Sequence, residues 1–337
     1  MTTATPQQGT RDLLVPLAAH GLAGSTSDLP NVEFAPDEWF AIVRTCQARG
    51  LLGMLAAASQ REQIQLTSTQ AEELAVLENE AAGIALLVEQ RVVRLSALLA
   101  AGGVAHRLVG APPRARLGYR QPGIRMFEGA TVLVEPSDLD IGVAWGVRVE
   151  PSVPLTDGRS IEVAHLSHPP TLLALADRVV PTVNIDEHLV LACLDLAAIA
   201  RSGDGRGGPV DAADVSDAHP LALVLQRDVA ELALSKEIDP VRAQSLAETW
   251  GVVHQVARAL VQVWELFGLA DRTRLSVWAH RIADAPVPVQ RSMGSSAVAR
   301  TTPAQRPSGM VKRVVRKVRK LAPSKVAARA VARRSSR

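Results

Sequence analysis

At 337 residues the chain has room for about two ordinary domains of ~150 residues each, and its 47% apolar content is enough for a packed core, which excludes a wholly disordered protein. Aromatic residues make up 3% against abundant Ala, Leu and Val, which favours packed helices over a strand-rich sandwich. The net charge of +3 hides an asymmetry: eleven of the 37 Lys and Arg residues lie between Gly309 and Arg337 with no acid among them, so the other 308 residues carry 26 basic against 34 acidic groups, a net of −8.

In chain order, the start (MTTATPQQGT) has no basic region ahead of an apolar run, so no signal peptide is expected. Pro36, Asp37 and Glu38 open a predicted helix that ends at Gly50, with proline and acids where a helix N-terminus favours them. A long helix is predicted from Ser68 to the Gly102–Gly103 pair. Its Leu74, Leu77, Ala81, Ile84, Val88, Val92, Leu95 and Leu99 step by three or four and form one face. At ~1.5 Å per residue it spans roughly 50 Å, long enough to brace a second domain; the same spacing also suits a coiled-coil seam.

The middle of the chain changes character. Val104–Val109, Ala130–Glu135 and Ile161–Leu166 read as short strands, and Ser137-Asp138-Leu139-Asp140 as the capped start of a helix through Trp145. Helix and strand alternate here, so a small mixed sheet is expected. From about Thr171 the helical pattern resumes, with segments at His188–Ala200, Pro220–Leu234, Pro240–Trp250 and Val252–Phe267, interrupted by the Gly/Asp-rich loop Ser202–Pro209. Trp39, Trp145, Trp250 and Trp264 fall at apolar helical positions and read as core. The expected class is α+β: a helical region over 1–101, an α/β core over 102–180, a helical lobe over 181–287, and a linker with a basic tail over 288–337. No run is apolar enough to span a membrane; the best, Leu189–Ala200, contains Asp195. Cys46 and Cys193, both in apolar helical contexts, read as buried reduced thiols of a cytosolic protein.

The stretch Leu98–Val134 (LLAAGGVAHRLVGAPPRARLGYRQPGIRMFEGATVLV) carries the functional signal. It resembles the bacterial uncharacterised nucleotidyltransferases that share the polymerase-beta-type core. Their pattern is a long helix, a short strand ending Leu-Lys-Gly, a helix, and then Arg-x-x-x-Asp-x-Asp-Leu-Leu-Val on the next strand. Leu108-Val109-Gly110 stands at the first motif and Arg125–Val134 at the second. The likeness runs from roughly Trp39 to Leu269, with Leu221–Leu234 and Ala247–Gly251 resembling the family's helical lobe. It implies a sheet of nucleotidyltransferase type and an association with surface-polysaccharide or nucleotide-sugar machinery.

The diagnostic residues depart from that pattern. Nucleotidyl transfer of this kind holds Mg²⁺ between two carboxylates spaced two apart on a strand, so that both face one side. Those positions are Gly129 and Thr131 here, the phosphate-binding lysine is Val109, and a third carboxylate ahead of His165 is replaced by Ala164. Four charged positions are emptied together, which points to a catalytically degenerate binding or scaffolding component with no cofactor. Any nucleotide or phosphate binding is then weak and independent of Mg²⁺, with Arg125 and His165 left to meet a phosphate. The competing reading keeps an active Mg²⁺-dependent enzyme that uses Asp138 and Asp140 of SDLDIGV, or Glu128, as ligands. Against it, that Asp-x-Asp lacks the preceding Arg and looks like ordinary helix capping. His165-x-x-His168 and the Gly203–Gly208 loop read as ordinary loop features, since the first sits in a strand-to-loop context and the second follows a helix.

The tail is the second signal. In Val311–Leu321, Val311, Val314, Val315, Val318 and Leu321 line one helical face, and Lys312, Arg313, Arg316, Lys317, Arg319 and Lys320 fill the rest. That pattern suits a helix on an anionic membrane surface, which suggests a peripheral place at the inner membrane face, or an acidic protein partner including the acidic body of this chain. Nucleic acid is the weaker competitor, because no aromatic is interleaved and no recognition module precedes the tail.

Overall fold

A computed structural model describes residues 6–29, 33–135, 143–144, 147–155, 158–203, 219–270 and 273–285. Four helices come first: α1 (Pro6–Ala19), α2 (Pro36–Arg49), α3 (Leu52–Gln60) and α4 (Ser68–Ala101). Asp37 and Glu38 sit in the first turn of α2, and Gly50 closes it in the left-handed region at φ 69°. Thr67 starts α4 with a reciprocal cap: its hydroxyl accepts from the Gln70 N–H at 3.3 Å, and Gln70 Oε1 accepts from the Thr67 N–H at 3.0 Å.

The mixed sheet follows. Its strands are β1 (His106–Val109), β2 (Ala130–Val134), β3 (Val143–Ala144), β4 (Val147–Glu150), β7 (Thr171–Leu175) and β8 (Arg178–Thr182), in the order β3-β4-β2-β1-β8-β7. β1 runs antiparallel to β2, β2 parallel to β4, and β1 parallel to β8. A short helix α5 (Ala111–Leu117) follows β1, and β5 (Ser152–Pro154) pairs with β6 (Ser160–Glu162) as a separate hairpin. The helical lobe comprises α6 (Ile185–Gly203), α7 (Ala222–Leu234), α8 (Pro240–Thr249), α9 (Val253–Leu266) and α10 (Arg274–Ala283), with α6 packed against α7, α8 and α9.

Two apolar cores result. The larger joins α1, α2 and α3 to α6 through α10; the smaller places Leu108, Val132, Val134 and Val147 of the sheet under Val88, Val92, Leu95 and Leu99 of α4. Strand alternation divides the sheet's side chains, so Val109 and Leu133 point the other way, into the larger core. Helix α4 spans both: Leu74 belongs to the first core and its C-terminal half to the second. Its expected continuous apolar face is therefore buried at its ends and open in the middle, where Ile84 is exposed. The lobe is also tied to the chain's start. Arg227 of α7 donates through Nη1 to Ala18 O at 2.7 Å and His20 O at 2.8 Å, satisfying carbonyls at the end of α1.

The mixed α+β class stands, with several local corrections. Thr171–Thr182 is a hairpin rather than helix; it turns at Ala176 (φ 50°) and Asp177, without the Asn-Gly signature that would mark it in sequence. The expected strand Ile161–Leu166 stops at Glu162. Val163–His165 form a 3₁₀ turn, closed as His165 Nδ1 accepts from the Glu162 N–H at 3.0 Å while Val163 and Leu166 both turn into the core. Val143–Ala144, expected as helix, form a strand paired with β4, while the rest of the expected helix, Trp145 included, lies outside the described residues. Asp138, Asp140 and the whole basic tail lie outside the described residues. Cys46 and Cys193 are free and buried, and Trp39, Trp250 and Trp264 are core residues. Among the described residues no helix is long and apolar enough to cross a membrane.

Candidate functional site

A cleft of about 630 Å³ opens where the end of α2, the middle of α4, the start of α5 and the start of β2 meet. Gly110, Arg125, Glu128, Gly129 and Thr131, five of the positions singled out in the sequence, all line it. β1 delivers the chain to Gly110, whose φ of 85° and ψ of −147° are open essentially to glycine alone. There α5 begins at once. Pro112 and Pro113 fill its first turn, so of its first three residues only Ala111 has an N–H to offer a ligand.

The sheet register decides what the cleft presents. Thr131 pairs with Val109 on β1 and with Arg148 on β4. Directly paired residues share a face, so a row of valine, threonine and arginine crosses three strands on the cleft side, with Gly129 two residues before Thr131. Val109 is buried beneath this row. Arg148, which the sequence reading missed, lines the cleft with a 66% exposed side chain, its Nε 3.5 Å from Glu150. Ala164 and His165 belong to the 3₁₀ turn after the β5–β6 hairpin, and neither lines the cleft. Position 164 is therefore not the partner of β2; the parallel neighbour is β4, and the residue beside Thr131 is a cation. His165, expected beside a phosphate, sits in that 3₁₀ turn, apart from the cleft lining.

Arg125 lines the cleft but is already committed. Its Nε and Nη2 donate to the Asp228 carboxylate at 2.7 and 3.1 Å, and its Nη1 to Met126 O at 2.7 Å. Burial alone would lower its pKa; the adjacent Asp228 carboxylate outweighs that and raises it. Tyr119 donates its hydroxyl to the same carboxylate at 2.8 Å, and burial, reinforced by Asp228, holds its pKa well above the usual phenol value. Arg114 of α5 donates to Asp195 at 2.5 Å and stands 3.8 Å from Asp228. Two of the cleft's three guanidinium groups are thus neutralised by carboxylates of the helical lobe, while Arg148 faces the opening. The network fastens the sheet to the lobe through α7.

Among the described residues, Glu80, Glu128 and Asp195 are the acids on the cleft lining. Among the described residues no three His, Cys, Asp or Glu side chains come together as a set that could hold a metal ion. The anchor Asp228 was legible in part: an Arg-Asp pair inside the apolar helix LQRDVAELAL signals a buried ionic partner elsewhere in the chain. Arg148 carried no such signal, because an alternating strand such as VRVE places its charge by register alone. No family model, curated protein or solved structure matches this chain.

Proposed function

We propose that this chain is a nucleotidyltransferase-like protein whose cleft has lost metal-dependent transfer and which serves as a binding or scaffolding component for a phosphorylated ligand. The observation that carries this reading is the row Val109, Thr131, Arg148 across β1, β2 and β4, with Gly129 beside it. Divalent-metal chemistry needs carboxylates on that face to grip the ion and spread the charge of a triphosphate. A glycine has no ligand atom, a threonine has a neutral hydroxyl, and an arginine repels the ion. If each lost metal contact removes a few kcal/mol of transition-state stabilisation, the set costs on the order of 10⁴-fold or more in rate.

The same substitutions favour an anion bound directly. Arg148 offers a planar fork that matches phosphate oxygens, while Arg114 and Arg125 hold the cleft wall in place rather than adding free charge. With one exposed guanidinium, itself 3.5 Å from the Glu150 carboxylate, the expected affinity is weak. Mg²⁺, by neutralising the phosphates, weakens it further.

Titration calorimetry with each nucleoside triphosphate, with and without Mg²⁺, tests this. Weak binding that Mg²⁺ diminishes and that Arg148→Ala removes supports the reading. Mg²⁺-dependent micromolar binding abolished by Asp138→Ala, with release of pyrophosphate, overturns it in favour of an active enzyme.

A further inference from the structure

The middle of α4 presents a surface that the cleft reading does not use. Between its two buried ends the helix lies open, with Val76, Ile84, Leu86 and Leu87 exposed by 58, 42, 49 and 51%. At 100° per residue, Glu72, Val76, Glu80, Gly83 and Leu87 form one stripe, with Ile84 at its cleft side. A Cβ at Gly83 would meet nothing within 4 Å, so the stripe is clear for a close approach. From Ser68 to Gln90 the helix carries five Glu and no Lys or Arg. An apolar stripe in an all-acidic field is a poor seam for two copies of itself, since like charges would face each other.

We propose that the basic amphipathic segment Val311–Leu321 of the same chain docks along this open stretch of α4, its valines on the Val76–Leu87 stripe and its Lys and Arg residues facing Glu72 and Glu80. The charges are complementary, six bases against a face with none. The lengths agree as well: eleven residues in helical form extend ~16 Å, the span from Val76 to Leu87. Reach is no obstacle. Twenty-five residues separate Ala285 from Val311, a contour of up to ~85 Å against the ~50 Å of α4.

Disulfide trapping in the full chain tests the docking. Cys46 and Cys193 are fully buried, with burial pushing both thiols up to about 12, so they stay silent. Ile84→Cys with Val314→Cys is compared with Val241→Cys and Val314→Cys, where Val241 is an exposed residue of α8. Under mild oxidation at low ionic strength the first pair closes about tenfold faster, because docking raises its effective concentration. That excess disappears at ~1 M salt, where the Debye length falls to ~3 Å, and in the background of Glu72→Gln and Glu80→Gln. Equal rates for the two pairs, as expected if the tail serves an anionic membrane or nucleic acid instead, overturn the proposal. So does an Ile84–Val314 disulfide formed between two chains, or an excess indifferent to salt and to the Glu→Gln changes.

Discussion

Replacing Asp228 with asparagine keeps the side chain's shape but removes the charge that Arg125, Arg114 and Tyr119 converge on. Asp228 and Arg125 are 0% and 8% exposed, so the guanidinium left behind has little access to water. Breaking one half of a buried pair typically costs about 3–5 kcal/mol, because the surviving charge is uncompensated. For the roughly 250 described residues, with ~2.1 cal/mol/K of unfolding entropy per residue, that corresponds to a fall in Tm of about 6–10 °C. Tyr119→Phe removes one hydrogen bond and leaves the ion pair whole, so ~1–2 kcal/mol is expected. Urea unfolding and thermal melts of Asp228→Asn, Tyr119→Phe, Arg125→Met, Asp228→Leu and the double variant Arg125→Met with Asp228→Leu decide the matter. The apolar double variant should recover most of the loss. An Asp228→Asn protein as stable as Tyr119→Phe, or a double variant whose loss is the plain addition of its singles, would refute the view that this pair clamps the sheet to the lobe.

Other perturbations act on separate features. A Cβ at Gly53 would sit 2.4 Å from Ile124 O, so Gly53→Ala must push away the 3₁₀ turn Pro122–Ile124 that leads into Arg125; a loss of about 1–3 kcal/mol in urea unfolding is expected. Gly110→Ala has open space but an unsuitable backbone, so a similar ~1–3 kcal/mol loss arises from strain, and Gly110→Asn should be no better. His188, which shares its Nε2 with the Thr182 hydroxyl at 2.9 Å, is pushed down to about 3 by burial and then by Arg114, and burial also lowers His106. Their folded pKa values lie below the unfolded 6.5, so the neutral forms stabilise fully above pH 6.5, and stability falls as acid charges the unfolded chain. For His188 the slope should reach ~1.4 kcal/mol per pH unit below pH 6, with His106 contributing in the same direction, and His188→Gln should flatten it in urea titrations at pH 7 and 5.5. Both cysteines should resist a thiol reagent at pH 8 in the native protein and react only at the rate of unfolding.

Legibility followed the strength of the local physics. α2, α4, α8 and α9 were readable because caps, prolines and period-3.6 apolar positions agree, and their boundaries fall within a residue or two of expectation. α3 was not, since Leu52–Ala58 is buried on every side and shows no period. The β7–β8 hairpin was lost because Leu172-Leu173-Ala174-Leu175 alternates between exposed and buried faces while staying apolar on both. For the site, motif spacing located Gly110, Arg125, Glu128, Gly129 and Thr131, which the fold gathers into one cleft. Cross-strand neighbours are invisible to spacing, and so Arg148 appeared only once β4 was seen beside β2.

The grip of Arg227 on the carbonyls of Ala18 and His20 sets a timetable for biosynthesis. The first helix relies on a side chain 209 positions downstream, and its leucines share a core with segments as late as Trp278. On a ribosome adding ~5–20 residues per second, the nascent amino-terminal region waits roughly 10–40 s for its permanent neighbours. During that interval Leu13, Leu14 and Leu17 are uncovered, which makes this stretch a natural client for chaperones until the chain has been made past Trp278.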